Sequence, residues 1–281
     1  MPEGDTILRA ARALHKALAG RIVRRFDSVY PAVTRIAEDR PIVGRTVESV
    51  SARGKHLLMA FSGDLVLRTH MRMNGSWHLY RAGARWQRHF RDMRVLVATD
   101  DAVAVGFNVP IAELLTAREL ERHKDIRALG PDLLAGAGRV EKGDFDAAEV
   151  IRRMRARGRD AVADVLLNQR VVAGIGNVFK SEILYLAGID PFTHVAALTD
   201  AQLGQILAIS VEQLNANVLS PSQTLIRSIG RRTTRSLDPG AKLWVYSRGG
   251  KPCRRCGATI QSRKTGLDAR LTYWCPQCQN A

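Results

Sequence analysis

The spacing of apolar positions along this chain changes character twice. Behind MPEGDT, the residues Ile7, Ala11, Leu14 and Leu18 recur at helical spacing until Gly20 stops the run, and Asp5 stands where an N-cap is expected. From Ile22 to about Val105 the texture becomes short alternating or apolar runs: RTVESV, HLLMAF, DLVLRTH, GSWHLY and MRVLVAT. Turn residues such as Gly63-Asp64 and Asn74-Gly75 separate them. This predicts an antiparallel β-sandwich or flattened barrel with one helix at its start. A short helical stretch is expected near Ile111–Leu120, and the Gly- and Pro-containing segment Leu129–Gly138 reads as a link between domains.

The second half returns to helical spacing. Helices are expected over Asp144–Arg157, Ala161–Asn168 and Val178–Ala187, followed by a longer amphipathic one marked by Leu203, Ile206, Leu207, Val211, Leu214 and Val218. Ser220-Pro221 has the N-cap and first-turn chemistry of another helix. From Trp244 onward the chain reads as β-like. The fold class is therefore α+β with two domains: an N-terminal antiparallel β-sandwich carrying an N-terminal helix over 1–128, a linker over 129–143, a helical domain over 144–243 and a cysteine-bearing β-hairpin module over 244–281.

Charge narrows the function. Of 281 residues, 43 are Lys or Arg and 27 are Asp or Glu, a formal net charge of +16. Residues 227–281 hold 12 basic side chains against Asp238 and Asp268 alone, and residues 1–140 hold 23 against 15, while the stretch between is slightly acidic. Positive charge at both ends of a chain suits two basic surfaces facing a polyanion across a cleft, most simply a nucleic acid. The bland alternative is a merely basic protein. No run of apolar residues is long enough to cross a membrane, and the first residues lack the layout of a signal peptide, so a cytoplasmic protein is expected.

All four cysteines fall in the last 30 residues, as Cys253-x2-Cys256 and Cys275-x2-Cys278 with 18 residues between the pairs. This is the spacing of a four-thiolate zinc ribbon, and four thiolates leave no open coordination position. One structural Zn2+ per chain is expected, ordering a hairpin over Gln261–Trp274 that carries Arg263, Lys264 and Arg270. A second signal is NQRVVAGIGN over Asn168–Asn177, where Gly174 and Gly176 allow a tight turn and Asn177 opens the next helix. Free N–H groups at such a start bind phosphate, although a plain capped helix–turn–helix fits the same pattern.

Taken together, LLNQRVVAGIGNVFKSEILYLAGIDP, the N-terminal PEGDT and the C-terminal DARLTYWCPQCQ resemble the formamidopyrimidine-DNA glycosylase/endonuclease VIII family, at the middle, start and end of the chain. The Gly4-Asp5-Thr6 form of the start is closer to endonuclease VIII. The resemblance implies a helix-two-turns-helix domain, a zinc finger, damaged DNA (duplex or single-stranded) as partner, and a monomer associated with the nucleoid. It implies a DNA glycosylase that also nicks the strand by β,δ-elimination. Pro2, freed by removal of Met1, becomes the amine nucleophile, and Glu3 the acid/base carboxylate. An α-amine has a pKa near 8, about two units below lysine, so much more of it is unprotonated at neutral pH. Lys55, after Gly54, matches the lysine that stabilises charge near the lesion's phosphate. Asn177 and Arg270 match phosphate clamps, and Glu182 a carboxylate supporting the active site. The loop THMRMNGSW places Arg72, Met73 and Asn74 at the void left by a flipped nucleotide, with Met73 as the wedge.

One feature of the family is missing. The formamidopyrimidine branch carries an Arg-Arg-Phe loop where this chain reads VAVGFNVP, leaving only Phe107 as a partial substitute. Oxidised pyrimidines are therefore expected to be favoured over 8-oxoguanine opposite cytosine. The rival readings are an 8-oxoguanine-preferring enzyme, a catalytically weak paralogue, and a DNA-binding regulator built on a helix–turn–helix and a zinc ribbon. The seven histidines show no ligand spacing and read as structural or DNA-facing.

Overall fold

The computed structural model describes residues 2–135, 145–218, 231–266 and 269–279. The helix start expected at Ser220-Pro221 and the 136–144 part of the linker lie outside the described residues. The chain divides into two compact units between Ala128 and Leu129.

The N-terminal unit begins with α1, Gly4–Leu18. Its N-cap is Glu3, not Asp5, which is the second residue of the first turn and is fully buried, paired with Arg9 at 3.6 Å. Eight strands follow: β1 Arg25–Ser28, β2 Val47–Arg53, β3 His56–Phe61, β4 Leu65–His70, β5 Ser76–Arg81, β6 Met93–Ala98, β7 Ala102–Phe107 and β8 Ile111–Leu115. They form two antiparallel four-stranded sheets, ordered β1-β6-β7-β5 and β2-β3-β4-β8. Alternate residues of the facing strands, including Leu57, Met59, Leu67, Trp77, Val95 and Val97, meet Ile7, Leu14 and Leu18 of α1 in one apolar core.

Two differences from the sequence reading have local causes. A helix, α2 (Pro31–Asp39), interrupts the strands; Pro31 starts it, and Val33, Ile36 and Ala37 turn one face to the core. The stretch near Ile111–Leu120 is a strand first and a helix second. Ile111–Leu115 pairs with Val66–His70, and a Thr116/Glu119 capping box then starts α3, Ala117–Arg122, followed by α4, Lys124–Arg127. The apolar residues of Ile111–Leu115 fit either period, and sheet pairing decided between them.

The second unit is helical, with α5 Ala147–Arg155, α6 Val162–Leu167, α7 Asn177–Ala187 and α8 Asp200–Val218. Its described part begins with 129–135, which is anchored to the turn after α6. Gly130 N donates to Gln169 O at 2.8 Å, and Ala173 N to Pro131 O at 2.9 Å. Among its described residues, the cysteine module holds the hairpin β9 Gln261–Thr265 and β10 Arg270–Trp274 and an isolated antiparallel bridge between Pro252 and Thr259. The described residues from Trp244 to Ile260 are turns held by single backbone hydrogen bonds, not strands.

Candidate active site and nucleic-acid interface

One end of the sandwich collects the N-terminal candidates. Gly20 N donates to Val47 O at 2.8 Å, and Val50 N to His15 Nδ1 at 3.1 Å, so α1 runs antiparallel to β2. From the His15–Val50 contact the helix extends about 18 Å back to Glu3, and the strand about 17 Å forward to Lys55. Pro2 and Glu3 thus lie toward the end of the sheet that carries Lys55. Glu3 is fully buried, with its carbonyl accepting from Ile7 N at 3.0 Å, and Pro2 is half-buried. Lys55 is half-buried on the tight β2–β3 turn, where Gly54 takes φ +58°.

The β4–β5 connection projects from the same end, because His70, the last residue of β4, pairs with His56, the first of β3. Arg72, Met73 and Asn74 are all exposed, Met73 by 52%. Buried residues clamp the base of this loop. Gly75 N donates to Met71 O at 2.8 Å, and a β-carbon on Gly75 would lie 2.5 Å from that oxygen, so the loop closes only around glycine. Arg72 sits in the left-handed region at φ +48°, with its N–H donating to His70 Nδ1 at 3.0 Å.

Behind this loop lies a group of titratable side chains that the sequence did not single out. Arg68, only 1% exposed on β4, pairs with Glu113 on β8 and with Asp125 of α4 at 3.1 Å, and His123 also reaches Glu113 at 3.1 Å. His56 and His70 meet edge to face at 4.9 Å. Burial, reinforced by Arg68, holds the His56 imidazole down at about 3. Burial, then Arg72 and Lys55, holds His70 at about 4. Both rings are therefore neutral at physiological pH, which keeps His70 Nδ1 an acceptor for the Arg72 N–H.

Phe107 does not join the loop. Its ring is fully buried, edge-on to His78 at 5.0 Å and to Trp86 at 5.6 Å, so it cannot stand in for the missing aromatic wedge. Phe107 closes β7 with its side chain on the outer sheet face, and that face is covered.

In the second unit the turn after α6 presents α7. Gly174 has φ +107°, which requires glycine, whereas Gly176 is an extended residue and serves as the N-cap. Asn177 is the first helical residue rather than the cap. Its Nδ2 donates to Leu271 O at 2.8 Å, tying α7 to β10, and its buried Oδ1 has no partner. Arg270 opens β10 opposite Thr265 and is half-buried.

Glu182, fully buried on α7, accepts from the backbone N–H groups of Trp244, Val245 and Tyr246 at 2.8, 2.9 and 2.8 Å and from the Thr233 hydroxyl. These partners all belong to its own unit, and through them one carboxylate fixes the segment leading into the cysteine module. Lys180, missed by the sequence reading, is also fully buried and donates to Thr272 Oγ1 at 2.7 Å on β10. Its position inside the motif FKSEIL gave no sign that it faces inward.

The four cysteine sulfurs lie within 4.8 Å of one another, with Cys253–Cys278 at 3.9 Å and Cys256–Cys275 at 3.4 Å. Sulfurs bound tetrahedrally to zinc at 2.3 Å stand about 3.8 Å apart, so the cluster fits the ion. Burial and the neighbouring cysteines push the Cys278 thiol up, whereas at Cys253 burial is outweighed by hydrogen bonds from Tyr185 and from the backbone N–H groups of Arg255 and Cys256, which bring that thiol down.

Known proteins share this arrangement. Three family models match: the formamidopyrimidine-DNA glycosylase N-terminal domain over residues 1–110, the formamidopyrimidine-DNA glycosylase H2TH domain over 130–227, and the zinc finger found in FPG and IleRS over 250–281. The chain is 38% identical to a probable endonuclease 8 2 of Streptomyces coelicolor, covering 99% of this chain and 94% of that protein. It is 34% identical to the DNA-(apurinic or apyrimidinic site) lyase Nei2 of Mycolicibacterium smegmatis, over the full length of both. The Lactococcus lactis Fpg, solved with an abasic site containing DNA, superposes with a TM-score of 0.81 at 25% identity over all of both chains. From its N-terminal sandwich to its four-cysteine finger, the chain belongs to the formamidopyrimidine-DNA glycosylase/endonuclease VIII family.

Proposed function

We propose that this protein is a base-excision enzyme that removes oxidised bases, pyrimidines in preference, and then cleaves the strand at the resulting abasic site. The observation that carries the reading is the fully buried Glu3, directly behind a half-buried proline. Glu3 is the N-cap residue of α1, yet its buried carboxylate does not cap that helix.

In this reading Pro2, as the N-terminal residue after Met1 is removed, attacks C1′ of the damaged nucleotide. Glu3 gives a proton to the opening sugar ring as the base leaves, and later relays protons during elimination. The iminium on Pro2 draws electrons from C2′, so the C2′ proton is lost and the 3′ phosphate departs. The 5′ phosphate follows in a second elimination. Lys55 stabilises the negative charge these steps develop. Met73, with Arg72 and Asn74, fills the space of the extruded nucleotide.

Asn177 and Arg270 hold the flanking phosphates. Asn177 has one amide N–H left after serving Leu271, and it stands at a helix N-terminus. Glu182 supports the site indirectly, by ordering the second unit. Zinc at Cys253, Cys256, Cys275 and Cys278 is structural and holds the Arg270 hairpin. The protein acts as a monomer in the cytoplasm, bound to the nucleoid through DNA; none of the described helices is long and apolar enough to cross a membrane.

The pyrimidine preference rests on the wedge loop. With Phe107 buried, only Arg72, Met73 and Asn74 face the orphaned base, and they fill space without reading its hydrogen-bonding edge in detail. Single-turnover cleavage of oligonucleotides carrying thymine glycol, dihydrouracil or 8-oxoguanine opposite each of the four bases tests this. Faster excision of the pyrimidines with little opposite-base dependence is expected. Fast, cytosine-dependent removal of 8-oxoguanine would overturn the preference, and no cleavage of any lesion would overturn the function.

A further inference from the structure

The connection from β5 to β6 has features that the reading above leaves unused. Both strands are antiparallel to β7, and Ser76 of β5 and Met93 of β6 both pair with Phe107. Residues 82–92 must therefore run back along the sheet, from the far end of β5 to the end where Ser76 follows the Arg72–Asn74 loop. On the way they cover the outer sheet face. Trp86 packs on an apolar patch of Met93, Leu96, Val105 and Phe107. Asn108 N donates to Asp92 O at 2.7 Å and pins the returning end.

Covering that patch explains Trp86 but not Phe90. Tyr80 stacks on Trp86 at 6.3 Å with 24° between the planes, and Trp86 on Phe90 at 5.7 Å with 14°. The three rings form a column, and Phe90 at its end is 63% exposed. On the same stretch of chain, Arg81, Arg85, Arg88 and Arg91 are all exposed, and none has an acidic partner among the described residues. Residues 81–94 hold five arginines and one acid, Asp92. An open-ended aromatic column on a connection rich in arginines without acidic partners matches the physics of single-stranded nucleic acid, whose bases offer flat faces and whose backbone is anionic.

We propose that Phe90 and Trp86 form a stacking platform for unpaired DNA bases beside the lesion, with Arg85, Arg88 and Arg91 meeting their phosphates. The preferred substrate is then a lesion flanked by single-stranded DNA, as in a bubble or a gapped strand, rather than one in continuous duplex. This rests on the base-excision reading for its location beside the lesion loop. The charge argues for DNA over a protein partner, since an apolar protein contact has no use for a run of exposed arginines with one acid among them.

The test uses the full-length, zinc-loaded protein and two oligonucleotides bearing the same tetrahydrofuran abasic analogue. One is continuous duplex, and the other has about six unpaired nucleotides next to the analogue, within the range single-strand platforms occupy. A 2-aminopurine in the unpaired stretch reports stacking by loss of fluorescence. Wild-type protein is expected to bind the flanked substrate about tenfold more tightly than the duplex and to quench the 2-aminopurine. Phe90→Ala, which removes only an exposed ring, should lose both effects, and Phe90→Tyr should keep them. Arg88→Ala should make the salt dependence on the flanked substrate shallower by about one in log–log slope. Unquenched 2-aminopurine with wild-type protein, or equal gain for wild type and Phe90→Ala, would overturn the platform. If instead quenching persists while wild-type protein cleaves neither thymine glycol nor a natural abasic site placed in the same two contexts, the base-excision reading fails and the platform stands.

Discussion

In the N-terminal unit the residues nearest the chemistry rest on an apolar sandwich; from Arg231 to Gln279 the second unit is ordered by polar brackets and sulfur. Leu57, Met59 and Trp77 pack under the end that carries Lys55 and the wedge loop. The cysteine module has only a small core of Tyr185, Val245, Cys253, Ile260 and Cys275. Its order comes instead from the Glu182 carboxylate, from Lys180 on Thr272, and from the four-sulfur cluster. The difference teaches a division of labour. The groups proposed to break bonds are positioned by packing that a single substitution does not undo, whereas the hairpin proposed to grip DNA depends on a few strong polar contacts and a metal.

That division makes the effects of substitution separable. The largest is expected for Glu3→Gln, which should slow single-turnover cleavage by roughly 10²- to 10⁴-fold with DNA affinity nearly intact. Equal losses in rate and affinity would instead make Glu3 a binding residue. Next, metal chelation or Cys275→Ser should weaken binding to lesion DNA by roughly two orders of magnitude by disordering the Arg270 hairpin. The N-terminal unit should still show its own cooperative melting by circular dichroism, and its collapse with the metal would break the comparison.

Smaller effects sharpen it. Glu182→Ala leaves three backbone N–H groups, that of Val245 buried and those of Trp244 and Tyr246 partly so, without an acceptor and should destabilise the second unit by about 3 kcal/mol. Urea denaturation followed at the tryptophans of each unit would reveal this, and an equal shift in both units would contradict independent ordering. The last effect is on pH. His56 and His70 have folded pKa values of about 3 and about 4, below the unfolded value near 6.5. The folded N-terminal unit therefore binds fewer protons than the unfolded one. Its histidine contribution is complete above about pH 6.5 and is lost as the pH falls toward 4, at no more than about 1.4 kcal/mol per pH unit for each ring. Melting temperatures between pH 7.5 and 5 should decline, and His56→Gln should flatten the decline; an unchanged slope would contradict the buried neutral pair.

How much of this was legible beforehand depended on whether a feature is written locally. The sandwich, the paired cysteines, and the α7 start are set by period, spacing and neighbouring residues, and all three were readable. The buried Arg68 was not, because its partners Glu113 and Asp125 are far along the chain and DLVLRTH reads as an ordinary strand. Lys180 was hidden for the same reason, since Thr272 is 92 residues away. The α2 helix was readable in principle from Pro31 and the Val33, Ile36, Ala37 spacing, but it is short and sits among strands. The burial of Phe107 is a tertiary effect of the returning 82–92 connection, which no local pattern announces.

The claim at the centre of this account is that the chemistry resides in the N-terminal residue of the first unit and the grip in the second. Borohydride reduction with an abasic oligonucleotide, which fixes an imine as a covalent adduct, tests it most directly. Protein with Pro2 exposed should trap in high yield, a form that retains Met1 should not trap yet should bind the same DNA with similar affinity, and Cys275→Ser should trap when DNA is raised to saturation. Undiminished trapping by the form that retains Met1 would contradict the account.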